Sequence, residues 1–243
     1  DAPQPVYTFS AKSDSASLTA RDIRLAPSGV RFCALEEGEL VRVKTNLPGQ
    51  FSVYNALAAI SCARLLGVSL ADAAAALETA HGAKGRVEPV PTDGDYSIFI
   101  DYAVTPDAIE NVLTTLRGIA PKRLVMLFGA GGDRDRKKRP IMGKLSADIA
   151  DFVIVTSDNP RTEDPMSIIE EILPGVRAGK APYKVICDRP EAIRWAIDHH
   201  EPGDVILLCG KGHEDYQIIG HEKIHMDERE IVADYLAERA KRT

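Results

Sequence analysis

Residues 124–140 read Leu-Val-Met-Leu-Phe-Gly-Ala-Gly-Gly-Asp-Arg-Asp-Arg-Lys-Lys-Arg-Pro. Five consecutive apolar residues predict a strand buried on both faces, which is the condition of a parallel sheet covered by helices. The glycines after it let the backbone turn tightly and approach a ligand closely. A helix is expected over about 140–150. The dinucleotide fingerprint G-x-G-x-x-G requires glycine where Arg134 stands, so a Rossmann dinucleotide cofactor is excluded. The same alternation continues on both sides. Apolar strands are expected at Ser97–Ile100, Phe152–Thr156, Lys184–Ile186 and Val205–Leu208, with helices near 106–118, 165–174, 189–200 and 227–240. Thr105-Pro106, Asp164-Pro165 and Asp188-Arg189-Pro190 each set a capping residue just before a proline, a helix start signal. The pattern predicts an α/β domain with a mostly parallel sheet and helices on both faces, Rossmann-like in architecture.

Upstream, the texture differs. Val6–Phe9, Ile23–Leu25, Val30–Phe32 and Leu40–Val43 are short, partly alternating strand runs cut by turn signals such as Pro27-Ser28-Gly29. A helix follows Pro48-Gly49, with Val53, Leu57, Ile60 and Leu65 expected on one face, and a second, Ala-rich helix runs from about Leu70 to Ala80. Gly82–Thr92 is rich in Gly and Pro, which places a domain boundary near residue 88. Residues 1–87 then read as the closing part of a domain whose beginning is absent, and residues 88–243 as a second domain.

Composition narrows the function. With 30 Lys plus Arg against 36 Asp plus Glu, the net charge is −6, which argues against a nucleic-acid or anionic-membrane surface. No apolar run approaches the ~20 residues of a membrane span, and Asp1–Pro5 has no signal-peptide pattern. Cys33, Cys62, Cys187 and Cys209 are widely spaced and are expected as buried free thiols of a reducing cytosol.

In an open parallel sheet, ligands bind beyond the carboxyl ends of the strands. Three unusual segments fall there, each directly after an apolar strand. The first is Gly129–Pro140, an anion-binding loop or a solvated basic one. The second is Ser157-Asp158-Asn159-Pro160-Arg161, in which the planar fork of Arg161 suits a carboxylate and the alternative is a plain turn into a helix capped by Asp164. The third is Cys209-Gly210-Lys211-Gly212-His213-Glu214-Asp215-Tyr216, whose spacing is not that of a phosphate-binding P-loop. Glu214 there can face a ligand ammonium or be an ordinary surface acid. His81, His199, His200, His221 and His225 show no metal-ligand spacing. Arginines, an amide and a carboxylate converging on one crevice suit a small zwitterion.

Read in order, these segments resemble the Mur ligases of peptidoglycan synthesis, and within them the members that add meso-diaminopimelate to UDP-N-acetylmuramoyl-L-alanyl-D-glutamate. The resemblance rests on Gly85-Arg86-Val87-Glu88, on Asp101-Tyr102-Ala103-x-Thr105-Pro106-Asp107, on the Gly-Gly-Asp-Arg-Asp loop, on Asp158-Asn159-Pro160-Arg161, and on Gly210–Gln217. It covers essentially the whole chain, matching the last part of the family's central ATPase domain and its C-terminal domain. It implies an ATP- and Mg2+-dependent, cytoplasmic ligase that activates the D-glutamyl carboxylate as an acyl phosphate, which the amine of diaminopimelate attacks. It implies that Arg134, Asp158, Asn159, Pro160, Arg161, Gly210 and Glu214 form the diaminopimelate site. It also implies that Asn55 and Arg86 face ATP, with Asp101, the catalytic candidate, at the domain junction close to the nucleotide. No metal ligand is assigned, and no nucleic-acid or membrane partner.

The sequence departs from the family in three places. Val104 stands where the family has histidine, Ser52 where relatives commonly have asparagine, and the P-loop G-x-x-G-K-[ST] is not in these residues. Valine can neither donate to a phosphate nor relay a proton, so this chain alone is expected to be inactive. The alternatives are a non-catalytic or degenerate amino-acid-binding fragment and a folylpolyglutamate-synthase-like ligase of the same architecture, against which Asp158–Arg161 argues. A nucleic-acid module on Arg134–Arg139 is the outside candidate.

Overall fold

Alternating burial builds the first sheet. The computed structural model describes residues 6–242, so the Asp1–Pro5 stretch lies outside the described residues. Strands β1 (Phe9–Ser10), β2 (Leu18–Ala26), β3 (Gly29–Glu36) and β4 (Glu39–Thr45) form a sheet in the order β1-β2-β3-β4, antiparallel apart from the β1–β2 pair. The β2–β3 turn needs Gly29, whose φ is +130° and where a Cβ would lie 2.0 Å from the Thr45 carbonyl oxygen. Helices α1 (Gln50–Leu65) and α2 (Leu70–Glu78) pack Val53, Leu57, Ile60 and Leu70 on Leu18, Val30, Phe32 and Val43. Ser69 caps α2 by accepting from the Asp72 N–H. Two expectations need correction. Val6–Thr8 are not strand residues, and Leu65 is exposed rather than on the buried face. At 3.6 residues per turn, Leu65 points about 120° away from Val53.

The second unit holds β5 (Glu88–Val90), β6 (Tyr96–Asp101), α3 (Pro106–Arg117), β7 (Leu124–Phe128), α4 (Lys138–Ile149), β8 (Phe152–Val155), α5 (Pro165–Ala178), β9 (Tyr183–Val185), α6 (Arg189–Asp198), β10 (Asp204–Cys209), β11 (Tyr216–Ile219), β12 (Glu222–His225) and α7 (Glu228–Ala240). Its main sheet runs β5-β6-β10-β7-β8-β9, parallel except for the antiparallel edge strand β5. Thr105, Asp164 and Asp188 cap α3, α5 and α6 just before their prolines. One sheet face packs Ile98, Val125, Ile154 and Ile206 against Ile193 and Ile197 of α6 and Val232 of α7. Alternate residues such as Phe99, Met126, Val153 and Leu207 turn to the other face and are equally buried, and α4 and α5 pack on β8 there. Among the described residues, no helix is long and apolar enough to cross a membrane.

The chain divides between Gly82 and Ala83, earlier than the Gly/Pro-rich texture suggests. The reason is local. The Gly85 N–H donates to Glu88 at 2.6 Å, and the Val87 N–H donates to Asp101 at 2.8 Å. Arg229 pairs with Glu88 and donates to the Gly212 carbonyl, so residues 83–87 belong with the second unit. The four cysteines are free, but only Cys209 is buried and Cys62 is exposed.

Helix α5 continues through Pro174 to Ala178, past the expected end at 174, because Gly175 and Val176 are buried. A Cβ at Gly175 would lie 1.8 Å from the Pro140 carbonyl oxygen, and one at Gly143 would lie 2.5 Å from that of Ile172. Both obstacles are backbone atoms. Gly175→Ala is therefore expected to destabilise the second unit by about 2–3 kcal/mol through overpacking, read as a lower urea midpoint at unchanged m-value.

Candidate functional site

Four parallel strands, β6, β7, β8 and β10, end at one edge, and the loops leaving them line a cavity of about 120 Å³. Tyr102 and Val104 follow β6, Gly129–Gly131 and Arg134 follow β7, and Asp158, Asn159 and Arg161 follow β8. Gly210 and Glu214 follow β10. The loops fit only because several positions lack a side chain. A Cβ on Gly132 would sit 1.8 Å from the Pro160 carbonyl oxygen, and one on Gly129 would sit 2.4 Å from that of Thr156. The Gly132 N–H donates to the Asn159 carbonyl at 2.9 Å.

Arg161 has a positive φ of 53°, an uncommon conformation for a non-glycine residue. The β11–β12 hairpin holds it there: its N–H donates to the Ile218 carbonyl at 3.0 Å, and the Gly220 N–H donates back to its carbonyl at 2.7 Å. Its guanidinium reaches the Gly132 carbonyl at 2.8 Å. Arg134 is exposed at the rim and donates to the Asp133 carbonyl at 3.2 Å. Arg139, 1% exposed, donates to the Gly131 carbonyl and to Glu163 and Glu171. The Arg139 hydrogen bonds hold the Glu163 carboxyl down near 2.

Glu214 and Asn159 are joined through Lys211, a lysine with no solvent exposure. The Lys211 ammonium donates to Asn159 Oδ1 at 2.8 Å and to Glu214 at 2.7 Å, and the Asn159 amide donates to Glu214 at 2.9 Å. Burial pushes the Glu214 carboxyl up, but the hydrogen bonds from Lys211 and Asn159 outweigh it and hold the group below its usual range. Asp158 accepts from the Asn159 N–H at 2.6 Å through Oδ1, while its buried Oδ2 has no partner and faces Gly210. The cavity thus presents guanidinium groups, a lysine and two carboxylates, and it can take a small ligand bearing charges of both signs.

Of the residues singled out from sequence, Arg134, Asp158, Asn159, Arg161, Gly210 and Glu214 line this cavity. Pro160 shapes it from behind through its carbonyl, which accepts from the Glu163 N–H at 3.1 Å. Asp101 is not among the lining residues. Its carboxylate accepts from Val87, and burial pushes it up. Arg86 is exposed, with its guanidinium 5.6 Å from the centre of the Tyr102 ring. Asn55 is an exposed residue of α1 in the first unit. No sequence signal marked Lys138, whose ammonium donates to the Val104 carbonyl at 2.8 Å and which also lines the cavity. Nor do Lys211 and Arg139 stand out within their motifs, because nothing in spacing separates a buried cation from a solvated one.

Comparison with known proteins gives a consistent result. A sequence profile of the Mur ligase glutamate ligase domain matches residues 85–212, and one of the Mur ligase middle domain matches residues 1–63. The chain is 48% identical over 236 residues to a UDP-N-acetylmuramoyl-L-alanyl-D-glutamate–2,6-diaminopimelate ligase of Caldanaerobacter subterraneus subsp. tengcongensis, covering 97% of this chain and 48% of that protein. It is 46% identical over 242 residues to the ligase of the same name from Trichormus variabilis, covering 98% of this chain and 48% of that protein. A solved structure of a ligase of that name superposes with a TM-score of 0.79 at 34% identity, covering 96% of this chain and 48% of that one. The chain spans about half the length of the curated relatives it matches.

Because the folded Glu214 carboxyl lies below its unfolded value of about 4.3, its pairing stabilises the protein above that pH and the contribution is lost as pH falls through the folded value. Lys211→Met leaves the carboxylate buried without its cation. The variant is expected to lose on the order of 3 kcal/mol at pH 7 and less at pH 4, where Glu214 protonates. In this variant, carboxyl-carbon NMR should show Glu214 titrating above the ordinary carboxylate range, because burial remains and the Lys211 cation is gone.

Proposed function

The chain belongs to the Mur ligase family, and from that premise we propose that it carries the amino-acid site of an ATP-dependent, cytoplasmic, amide-forming ligase. That enzyme joins meso-diaminopimelate to UDP-N-acetylmuramoyl-L-alanyl-D-glutamate in peptidoglycan synthesis. The observation that carries the reading is the single cavity lined by Arg134, Asp158, Asn159, Arg161, Gly210 and Glu214 at the carboxyl edge of the parallel sheet. In this reading Arg161 and Arg134 pair with carboxylates of the incoming amino acid, because a planar fork of donors matches a carboxylate. The unpartnered Oδ2 of Asp158, with the carboxylate of Glu214 on the same cavity wall, receives the ligand's one ammonium group. Gly210 keeps the wall beside Asp158 free of a side chain. Held this way, the non-reacting end of the ligand is fixed and its other amine is left to attack an activated carboxyl, an orientation effect.

The nucleotide, when bound with Mg2+, supplies activation of the acceptor carboxylate. Asn55 and Arg86 present exposed polar heads suited to such a ligand, and the Asp101 carboxylate is the third residue proposed to face it. Among the described residues, no group of three or more acids, histidines or cysteines is arranged to hold a metal ion.

Two experiments test the reading. In calorimetric titration, meso-diaminopimelate should bind more tightly than L-lysine, because lysine lacks one carboxylate. Arg161→Ala should remove a difference of about 2–5 kcal/mol if the lost pairing is buried. Equal affinities for the two amino acids, or none for either, would refute the site assignment. Secondly, a polypeptide of these 243 residues contains no G-x-x-G-K-[ST] segment. It should release no ADP when given ATP, the UDP-linked dipeptide and diaminopimelate, and measurable turnover would overturn the need for that segment.

A further inference from the structure

Strands β8 and β10 carry the two loops on which the acids of the cavity lie, yet they are not neighbours. Strand β7 lies between them and hydrogen-bonds to each. The ladder therefore ends before it can fix Asp158 relative to Gly210 directly. Farther out, Lys211 and Asn159 join the two loops through side chains, and at the strand ends themselves a further side chain joins backbone to backbone. Arg189, at the start of α6, donates through one terminal nitrogen to the Ser157 carbonyl at 3.2 Å and through the other to the Cys209 carbonyl at 2.9 Å. These are the last carbonyls before Asp158 and before Gly210. Its Nε donates to Glu228, at the start of α7, at 2.9 Å, and both side chains are wholly shielded from solvent.

A buried ion pair is weak evidence for stability, since its desolvation cost roughly cancels its attraction. The pair here is not even fully satisfied: Glu228 Oε2 is buried without a partner. What the arrangement does supply is geometry. A guanidinium holds its donors in a rigid planar fork, so the two carbonyls it bridges are kept at one separation. Glu228 sets the plane of that fork and balances its charge. The separation matters because a Cβ on Gly210 would already lie 2.6 Å from Asp158 Oδ2, so a small shift between the loops changes the acid-lined wall.

We propose that Arg189, oriented by Glu228, is a positioning residue for the amino-acid site: it fixes the Asp158–Arg161 segment against the Gly210–Glu214 segment and so sets the preference for a diamino dicarboxylic acid without touching it. The claim about preference rests on the reading of that cavity given above; the claim about the tether does not.

The test uses the 243-residue chain and two variants. Arg189→Lys keeps the charge opposite Glu228 but replaces the planar fork with a single nitrogen on a shorter stem, whose tetrahedral donors do not match Glu228 and the two carbonyls together. Arg189→Met/Glu228→Met removes both charges and leaves neither buried alone. Two quantities are read, amide hydrogen exchange by NMR and calorimetric affinity for meso-diaminopimelate and L-lysine. Both variants should speed exchange at residues 158–161 and 210–214 by about tenfold or more, with Leu127 and Ile206 in the strands unchanged, as a local opening requires. Both should weaken diaminopimelate binding by about tenfold and bring its preference over lysine toward one. A role in charge balance alone would be rescued by Arg189→Lys, so wild-type exchange and affinity in that variant would overturn the proposal. Exchange that quickens uniformly across the second unit would also overturn it. If the unsubstituted chain binds neither amino acid, the cavity reading fails and with it the claim about preference, while the exchange rates still decide the tether.

Discussion

A lysine with no exposure to water, Lys211, sets the terms for the whole edge of the second unit. Removing an ammonium from water is costly unless charges and hydrogen bonds replace the hydration it loses. Here Glu214 supplies the charge and Asn159 the amide oxygen. That requirement binds a residue from the β8 loop to two from the β10 loop. The same amide oxygen also accepts from the Ile218 N–H at 2.9 Å, so the β11–β12 hairpin is drawn in too. From there the hairpin fixes the left-handed backbone of Arg161. A charge that must be satisfied thus determines the place of a guanidinium several residues away.

The opposite wall is built on the same logic with an arginine at its centre. Arg139 gathers Glu163, Glu171 and the Gly131 carbonyl, while Glu163 accepts from the Asp133 N–H at 2.6 Å. The loop after β7 is therefore pinned to the loop after β8. Glycines 129 and 132 allow the approach, because a Cβ at either would collide with backbone. Flexible loops would lose much of their binding energy in ordering themselves around a ligand, and cross-linking them beforehand reduces that cost.

How much of this was legible in sequence depends on what kind of signal each feature leaves. Leu124–Phe128 is a strand in both accounts, since five apolar residues ending in glycine leave little else for the chain to do. The proline-flanked caps at Thr105, Asp164 and Asp188 likewise mark their helices. Strand β5 escaped notice because it is three residues long, contains Pro89 and pairs antiparallel at an edge, where proline is tolerated. The β11–β12 hairpin has mostly exposed or half-exposed residues, so it lacks the burial pattern that strand reading depends on. At the site, Arg134, Arg161 and Glu214 stood out because charges after apolar strands are unusual. Lys211, Lys138 and Arg139 did not, because burial of a cation is a tertiary property. Asn55 lies in the other unit, and its proposed role rests on resemblance alone.

The charges around the cavity bear on which amino acid it would prefer under the proposed function. Glu214 is already matched by Lys211 at 2.7 Å, which leaves Asp158 as the acid with an unpartnered oxygen, against Arg134, Arg161 and Lys138 on the cavity wall. The surroundings are therefore more positive than the simple presence of two acids suggests. A diamino dicarboxylic acid about to react has one amine neutral, so it carries two carboxylates and one ammonium. Lysine in the same state carries one of each. In a site of reduced dielectric, where pairing of charge counts for more than in water, the excess of guanidinium and ammonium groups favours the ligand with the excess carboxylate. Selectivity in this picture comes from the balance of the whole wall, with Arg161 as its most directed element, rather than from one arginine acting alone.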